Sequence, residues 1–226
     1  MAKILFQGDS ITDAQRNPRD LSADRISSLG AGYVTMISAQ LGLTPGNEWQ
    51  VVNRGVSGDC VEDMSKRWQK CLEEVKPDWV SVLIGINDTW HRRIYPEGDA
   101  SAVDLAKGLP PLDFARVLEG LLTETLQAQP KLRITLMEPF AFPIGVVQEA
   151  WLTEIQERQA FCEEIAKSLE RLKHDIIWVP LQAAFDQAAE QVGQSTLLYD
   201  GVHPTPAGHQ LICQQWVSAV KDAGAE

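Results

Sequence analysis

The chain has 226 residues, of which 44% are hydrophobic and 23% are charged, fractions typical of a soluble globular protein rather than a disordered or membrane-embedded one. It carries 31 acidic and 20 basic residues, so its formal net charge is −11. This negative charge argues against nucleic acid or an anionic membrane as the main partner, because binding either of them requires clustered Lys and Arg. The length favours a single domain over residues 1–226.

The N-terminal segment predicts the compartment. Its apolar run is only three residues long, too short for the apolar core of a signal peptide, and no apolar stretch in the chain reaches a membrane span. We therefore expect a cytoplasmic protein. The cysteines show no Cys-x-x-Cys spacing, which favours free thiols over disulfides or a zinc site. They are Cys60, Cys71, Cys162 and Cys213.

Short apolar runs alternate with helical patterns along the chain, an order typical of parallel strands joined by crossover helices. The predicted strands are residues 3–7, 50–53, 79–84, 133–137 and 176–179. The clearest helix has apolar residues at the i, i+3, i+4, i+7, i+8 spacing of one helix face. These residues are Phe114, Val117, Leu118, Leu121 and Leu122.

Three further helices follow from similar patterns. One starts at Tyr33 and closes at Gly42, one spans residues 155–172, and the last runs from about Pro206 to about Lys221. The longest stretch without a clear period, residues 87–111, predicts a functional loop. The elements together predict an α/β fold, a three-layer α/β/α sandwich with a five-stranded parallel sheet of the doubly wound, flavodoxin-like type.

Residues just after the strands are the first candidates for a site, because ligands bind outside the carboxyl ends of such strands. Ser10 follows the first strand, and its hydroxyl needs a base to become a nucleophile. His203 is the best available base, with Asp200 three residues earlier able to hold its Nδ1 proton. The backbone N–H groups of Ser10 and Gly55 and the side-chain amide of Asn87 could donate to an oxyanion.

Four sequence blocks resemble those of the SGNH or GDSL-type hydrolases. They are Gly-Asp-Ser-Ile-Thr-Asp around Ser10, Asn-Arg-Gly-Val-Ser-Gly around Gly55, Gly-Ile-Asn-Asp around Asn87, and Asp-Gly-Val-His-Pro around Asp200 and His203. The resemblance covers nearly the whole chain and implies the same three-layer fold. It also implies that Ser10 is the nucleophile, His203 the base and Asp200 its orienting group, with no metal and no cofactor.

The stretches 29–34, 76–81 and 84–90 resemble more closely the intracellular acetylxylan esterases of that family. This resemblance implies a homo-oligomer that removes acetyl groups from short, neutral oligosaccharides such as acetylated xylo-oligosaccharides. Tyr199 stands where tryptophan is typical of those enzymes, and the loop after Trp90 also departs from them. Because both aromatic residues lie beside motif residues, we expect them to contact substrate.

Other functions stay open or are disfavoured. A lysophospholipase, a thioesterase or a general short-chain acyl esterase would use the same triad. A nucleotide-binding or phosphoryl-transfer domain lacks its Gly-x-x-x-x-Gly-Lys-Ser/Thr or Gly-x-Gly-x-x-Gly loop. A catalytically silent glycan-binding protein is disfavoured by the intact triad. Ser57 is expected to be a turn residue, and His91, His174 and His209 to be surface or capping residues.

Overall fold

The computed structural model describes residues 2–46, 48–94 and 108–224. Its strands are β1 (Ala2–Gly8), β2 (Trp49–Asn53), β3 (Trp79–Leu83), β4 (Arg133–Met137) and β5 (Ile176–Val179). They pair in parallel in the order β2-β1-β3-β4-β5, the flavodoxin-like doubly wound order. The strand predictions are therefore confirmed to within one residue at each end.

Helices connect and cover the strands. They are α1 (Ser10–Asp13), α2 (Ile26–Leu29), α3 (Tyr33–Gly42), α4 (Val61–Val75), α5 (Ile86–Ile94), α6 (Pro111–Ala128), α7 (Glu149–Arg171), α8 (Gln182–Val192), α9 (Gln194–Leu197) and α10 (Pro206–Asp222). The four helices predicted from the sequence are α3, α6, α7 and α10, of which α7 begins six residues before its predicted start at residue 155.

The predicted loop over residues 87–111 is wrong in its first part, because residues 86–94 form helix α5. This helix buries Asn87, Asp88, Thr89 and His91 on its inner face, so its sequence lacks the apolar period that marks other helices. Residues 108–110 lie outside any helix or strand, as predicted, and Pro111 begins α6, whereas residues 95–107 fall outside the described residues.

The sheet separates two hydrophobic cores, as a three-layer fold requires. Successive side chains of a strand point to opposite faces, and in β1 Ile4 and Phe6 enter one core while Leu5 enters the other. Helices α3 and α10 cover the first face, and α4 and α6 cover the second. All of β3 is buried, which explains why its sequence is apolar except at Ser81 and does not alternate with exposed polar residues.

Tryptophan side chains fill much of the first core and fix polar strand residues in place. The rings of Trp79 and Trp216 stack with centroids 5.2 Å apart. The Trp79 Nε1–H donates to Thr135 Oγ1 at 2.7 Å, and the Trp216 Nε1–H donates to Ser81 Oγ at 3.1 Å. These bonds satisfy the buried indole N–H groups of both tryptophans.

All four cysteine side chains are buried, and within the described residues none of them forms a disulfide bond. Within the described ranges, no helix has the length and apolar composition that crossing a membrane demands. The same part of the chain holds no group of three or more His, Cys, Asp or Glu side chains arranged to bind a metal ion.

Candidate active site

Ser10 lies at a tight junction between the interior strand β1 and the short helix α1. Gly8 makes this junction possible, because a Cβ there would collide with the carbonyl of Leu83 and the side chain of Thr12. The side chain of Asp9 caps the helix by accepting a hydrogen bond from Ile11 N–H at 2.9 Å. The junction places Ser10 at the carboxyl edge of the sheet, where β1 and β3 connect in opposite directions and ligands bind in such folds.

Three side chains predicted from the motifs form one hydrogen-bonded chain. The Ser10 Oγ lies 2.8 Å from His203 Nε2, and His203 Nδ1 lies 2.7 Å from Asp200 Oδ2. An ionised carboxylate only accepts, so Nδ1 carries the proton and Nε2 accepts from the serine hydroxyl. The structure thus brings Ser10 together with Asp200 and His203 of the Asp-Gly-Val-His-Pro block. Ser10 and His203 are 193 positions apart in the sequence.

Asp200 is held as a carboxylate by its local turn. Partial burial raises the pKa of Asp200, but hydrogen bonds from the His203 backbone, the His203 ring and the Val202 backbone outweigh burial and lower it. The His203 and Val202 N–H groups donate to Oδ1 at 2.8 and 3.0 Å, which leaves Oδ2 for the imidazole. The aspartate therefore stays ionised and fixes the orientation of the ring.

The three predicted oxyanion donors lie on separate elements at this edge. Ser10 begins α1, so its N–H has no intrahelical acceptor. One Asn87 Nδ2–H donates to the carbonyl of Asp59 at 3.1 Å, which leaves the second amide hydrogen for a ligand. The Gly55 N–H already donates to Asn53 Oδ1 at 2.8 Å, so an oxyanion would have to share or displace this acceptor. The role of Gly55 stays a prediction.

Asn53 is a buried residue that connects two loops by hydrogen bonds, and sequence reasoning missed this role although Asn53 belongs to the block around Gly55. Its Nδ2 donates to the carbonyls of Thr12 and Leu29 at 2.6 and 2.7 Å while its Oδ1 accepts from Gly55. The side chain therefore ties the β2 loop to α1, next to Ser10. Its place in this block and its position at the end of a predicted strand were the available signals.

Asp88 is a second missed residue, and it anchors the helix that carries Asn87. Its two carboxylate oxygens accept from Leu109 N–H at 3.0 Å and Val61 N–H at 3.1 Å. Burial raises the pKa of Asp88 to about 6, against the opposing effect of these hydrogen bonds and the nearby Arg158 guanidinium. One carboxyl group thus joins α5, the start of α4 and the segment that leads into α6.

Asp9 is fully buried beside the proposed nucleophile. Its Oδ1 caps α1, whereas its Oδ2 has no hydrogen-bond partner among the described residues. Burial raises the pKa of Asp9 to about 7, and the charges of Asp59 and Asp88 raise it further against the backbone hydrogen bond from Ile11. This carboxyl group is therefore largely protonated at weakly acidic pH.

A cavity of about 350 Å³ opens onto Ser10 and His203. Tyr199 lines it, is 65% exposed, and stacks on the His203 ring with centroids 5.6 Å apart. Trp90 packs edge-on against His203, also at 5.6 Å, but it is not part of the cavity wall. The structure thus places both predicted aromatic residues against the proposed base and only Tyr199 on the cavity surface.

The remaining predicted residues have distinct positions. Ser57 lies in a turn, as expected, and donates to Asp13 at 2.6 Å. His209 accepts from Tyr33 N–H at 3.2 Å and so caps α3, and its ring also lines the cavity. Burial and the neighbouring His203 lower the pKa of His209 to about 4. The prediction of a surface or capping role is wrong for His91, which is buried 3.4 Å from the sulfur of Cys60.

Solved structures with the same fold include enzymes of known class. The structure matches a protein of Parabacteroides merdae named a GDSL-like lipase with a TM-score of 0.86 and 30% identity, covering 100% of this chain and 96% of that one. It matches the acetylxylan esterase Axe2 of Geobacillus stearothermophilus with a TM-score of 0.81 and 31% identity, over 100% and 95% of the two chains. These neighbours have the three-layer fold of GDSL or SGNH hydrolases. Fold and site together define the class as a carboxylic ester hydrolase.

Sequence comparison identifies the family within that class. The model of the GDSL-like Lipase/Acylhydrolase family matches residues 6–211. The acetylxylan esterase of Geobacillus stearothermophilus is 32% identical over 220 residues, which are 96% of this chain and 93% of that protein. The chain therefore belongs to the GDSL-like lipase/acylhydrolase family.

Proposed function

We propose that the protein is a serine esterase that removes acetyl groups from carbohydrates such as acetylated xylo-oligosaccharides. The observation that carries the proposal is the continuous hydrogen-bonded chain from Ser10 through His203 to Asp200 beside an open cavity. This arrangement supplies a nucleophile, a base and an orienting carboxylate within direct contact of each other. The reaction it suits is acyl transfer to the serine oxygen followed by hydrolysis.

In the first half of the reaction, Ser10 Oγ attacks the acetyl carbonyl carbon while His203 Nε2 takes the hydroxyl proton. The carbonyl oxygen becomes an oxyanion that the Ser10 N–H, the Asn87 amide and the Gly55 N–H stabilise. The tetrahedral intermediate collapses when the bond to the sugar oxygen breaks and Nε2–H protonates that oxygen. The products are a free sugar hydroxyl and acetyl-Ser10.

In the second half, His203 Nε2 takes a proton from water, whose oxygen attacks the acetyl-Ser10 carbonyl. A second oxyanion forms at the same donors and collapses as Ser10 Oγ leaves and recovers the proton from Nε2. Acetic acid is released and ionises to acetate in solution, and the resting state of the triad returns. Asp200 accepts the Nδ1–H bond throughout and stabilises the imidazolium in both halves.

Two features support a short acyl group and a sugar acceptor. The cavity of about 350 Å³ lies at the lower end of the range for small-molecule sites, which favours acetyl over a long acyl chain. The exposed, stacked ring of Tyr199 offers a flat apolar face at the cavity, a surface suited to the C–H face of a sugar ring. The similarity to an acetylxylan esterase points to the same chemistry.

Replacement of Ser10 by Ala tests the nucleophile. The variant is expected to lose hydrolysis of an aryl acetate and labelling by a fluorophosphonate, with an unchanged circular dichroism spectrum. Ser57→Ala is the matched control, because Ser57 lines the same cavity but does not contact His203 in the structure. Undiminished turnover in Ser10→Ala would refute the proposal.

A panel of esters tests the substrate class. Acetate release from acetylated xylo-oligosaccharides is expected to exceed hydrolysis of octanoate esters, acyl thioesters and lysophospholipids by wild-type protein. Faster octanoate or lysophospholipid hydrolysis would instead assign a lipase-type or thioesterase activity to the same triad. The cytoplasmic location and homo-oligomeric state expected from the sequence stay predictions, which cell fractionation and analytical ultracentrifugation would test.

A further inference from the structure

Arg67 of α4 reaches the carboxyl edge of the sheet and bonds to four residues there. Its Nε donates to Asp59 Oδ2 at 2.6 Å, and its Nη2 donates to the Gly8 carbonyl at 3.1 Å. Its Nη1 donates to the Arg54 carbonyl at 2.8 Å and to the side-chain oxygen of Gln7. A planar guanidinium is suited to such divergent contacts because its N–H groups point in fixed directions.

The partners of Arg67 are adjacent to all three proposed oxyanion donors. The Gly8 carbonyl lies two residues before Ser10, in the junction that positions the nucleophile. The Arg54 carbonyl belongs to the peptide group whose N–H is that of Gly55. Asp59 holds the carbonyl that accepts from Asn87. One cation therefore connects the elements on which the separate donors lie.

The contact with the Arg54 carbonyl also acts electronically. A charged donor on the oxygen of a peptide group polarises that group and strengthens hydrogen bonding by its N–H, because bonds in a chain reinforce one another. Two neighbouring carbonyls are bound similarly: Arg16 Nε donates to Gly55 O at 2.9 Å, and Arg54 Nη1 donates to Asn53 O at 3.0 Å. Three guanidinium groups thus bind three successive carbonyls of the Gly55 loop.

We propose that Arg67 is a positioning residue for the oxyanion site, which holds the Gly55 and Asn87 donors in place and polarises the Gly55 peptide. The inference rests on the proposed serine esterase function. Arg67 contacts neither the cavity wall nor the triad in the structure. We therefore expect it to affect only those states of the reaction in which the carbonyl oxygen of the substrate carries negative charge. Loss of Arg67 should therefore lower kcat and leave KM nearly unchanged.

The test compares Arg67→Met and Arg67→Lys with wild type on an aryl acetate. Removing one oxyanion donor costs about 10²–10³ in kcat, so weakening donors through Arg67→Met is expected to cost about 10- to 100-fold. KM is expected to stay within about threefold, and Arg67→Lys should recover part of the rate because it keeps the charge. Arg116→Met is the matched control, since Arg116 is exposed and pairs only with Asp113 in the described structure.

A boronic acid separates positioning from a merely structural role. Phenylboronic acid forms a tetrahedral adduct with a catalytic serine, so its inhibition constant should rise in Arg67→Met by about the factor by which kcat/KM falls. An unchanged inhibition constant, an unchanged kcat or a loss expressed only in KM would overturn the inference. If Arg67→Met does not fold, Arg67→Lys alone decides, with the same readouts.

The two levels of the proposal fail in different ways. If wild type hydrolyses aryl acetate, Ser10→Ala does not and the Arg67 variants match wild type, only the inference about Arg67 is wrong. If wild type and Ser10→Ala behave alike, the proposed function is wrong. If acetates are poor substrates, the rate of fluorophosphonate labelling at Ser10 is measured in place of kcat, because phosphonylation also develops negative charge at the oxyanion donors. Labelling of Arg67→Met at the wild-type rate would then overturn the inference.

Discussion

Replacement of Asp9 by Asn is expected to stabilise the protein at neutral and alkaline pH and to have little effect at acid pH. Asp9 is buried, and burial together with nearby carboxylates raises its pKa from 3.8 to about 7. The folded protein therefore holds a proton that the unfolded chain releases between about pH 4 and pH 7. In this window the stability of the wild type falls as pH rises, and above about pH 7 the loss is complete.

The size of the effect follows from the two pKa values. A rise from 3.8 to about 7 at about 1.4 kcal/mol for each unit of pKa corresponds to about 4 kcal/mol of destabilisation at about pH 8. Near pH 4 the same group contributes less than about 1 kcal/mol, because it is largely protonated in the folded state. Asn keeps an oxygen that can cap Ile11 N–H, so the local helix start is retained.

Urea unfolding of wild type and Asp9→Asn near pH 4 and near pH 8 measures this difference. The gain in unfolding free energy of the variant over wild type should be about 3 kcal/mol larger at the higher pH. Asp88, whose pKa burial also raises, is present in both proteins, and its repulsion of Asp9 is already part of the raised pKa of Asp9. Glu74→Gln, which removes a carboxylate that is 47% exposed, is expected to show no such gain.

An equal free-energy difference between Asp9→Asn and wild type at both pH values would refute this reasoning. It would mean that Asp9 ionises in the folded protein as readily as in the unfolded chain. The burial of Asp9, whose Oδ2 has no hydrogen-bond partner among the described residues, would then not control the pKa of this carboxyl group.

Asp200→Asn is expected to lower kcat for an aryl acetate by about 10⁴-fold at unchanged circular dichroism, because an amide favours the wrong imidazole tautomer; near-normal turnover would contradict the role of Asp200. Asn87→Ala removes a side-chain donor and should cost about 10²–10³ in kcat, whereas a change in KM alone would argue against oxyanion binding. Leu122→Ala, at a fully buried site in α6, should cost about 2–5 kcal/mol in urea unfolding. Leu112→Ala on the same helix, where the side chain is 49% exposed, should cost about 0.5 kcal/mol or less, and equal losses would contradict the burial difference.

The strands and longer helices could be predicted because their burial leaves a repeating trace in the sequence. Parallel strands such as β3 are covered on both faces and appear as mainly apolar runs, interrupted in β3 by Ser81. Helix α6 has one buried face and shows the corresponding period. Helix α5 could not be recognised in this way, because its inner face carries Asn87 and Asp88, whose hydrogen bonds take the place of apolar packing.

The hydrogen-bonded triad could also be anticipated, since its members come from blocks whose order and spacing indicate their chemistry. The groups that support it could not, because their partners are set by the folded chain. Asn53 binds two carbonyls from the segment between β1 and α3, and Arg67 binds carbonyls at the carboxyl ends of β1 and β2. Residue type alone does not distinguish such an arginine from one on a solvent-exposed helix face.

The 193 positions between Ser10 and His203 have a consequence for folding kinetics. Bringing such distant segments together costs about 5 kcal/mol in chain entropy, by a logarithmic dependence on loop length. Contacts between residues so far apart in sequence tend to form late, once intervening strands have paired. After dilution from denaturant, ester hydrolysis should therefore recover more slowly than the circular dichroism signal of the helices. Regained activity would then show that the whole sheet has assembled, and not only that secondary structure has formed.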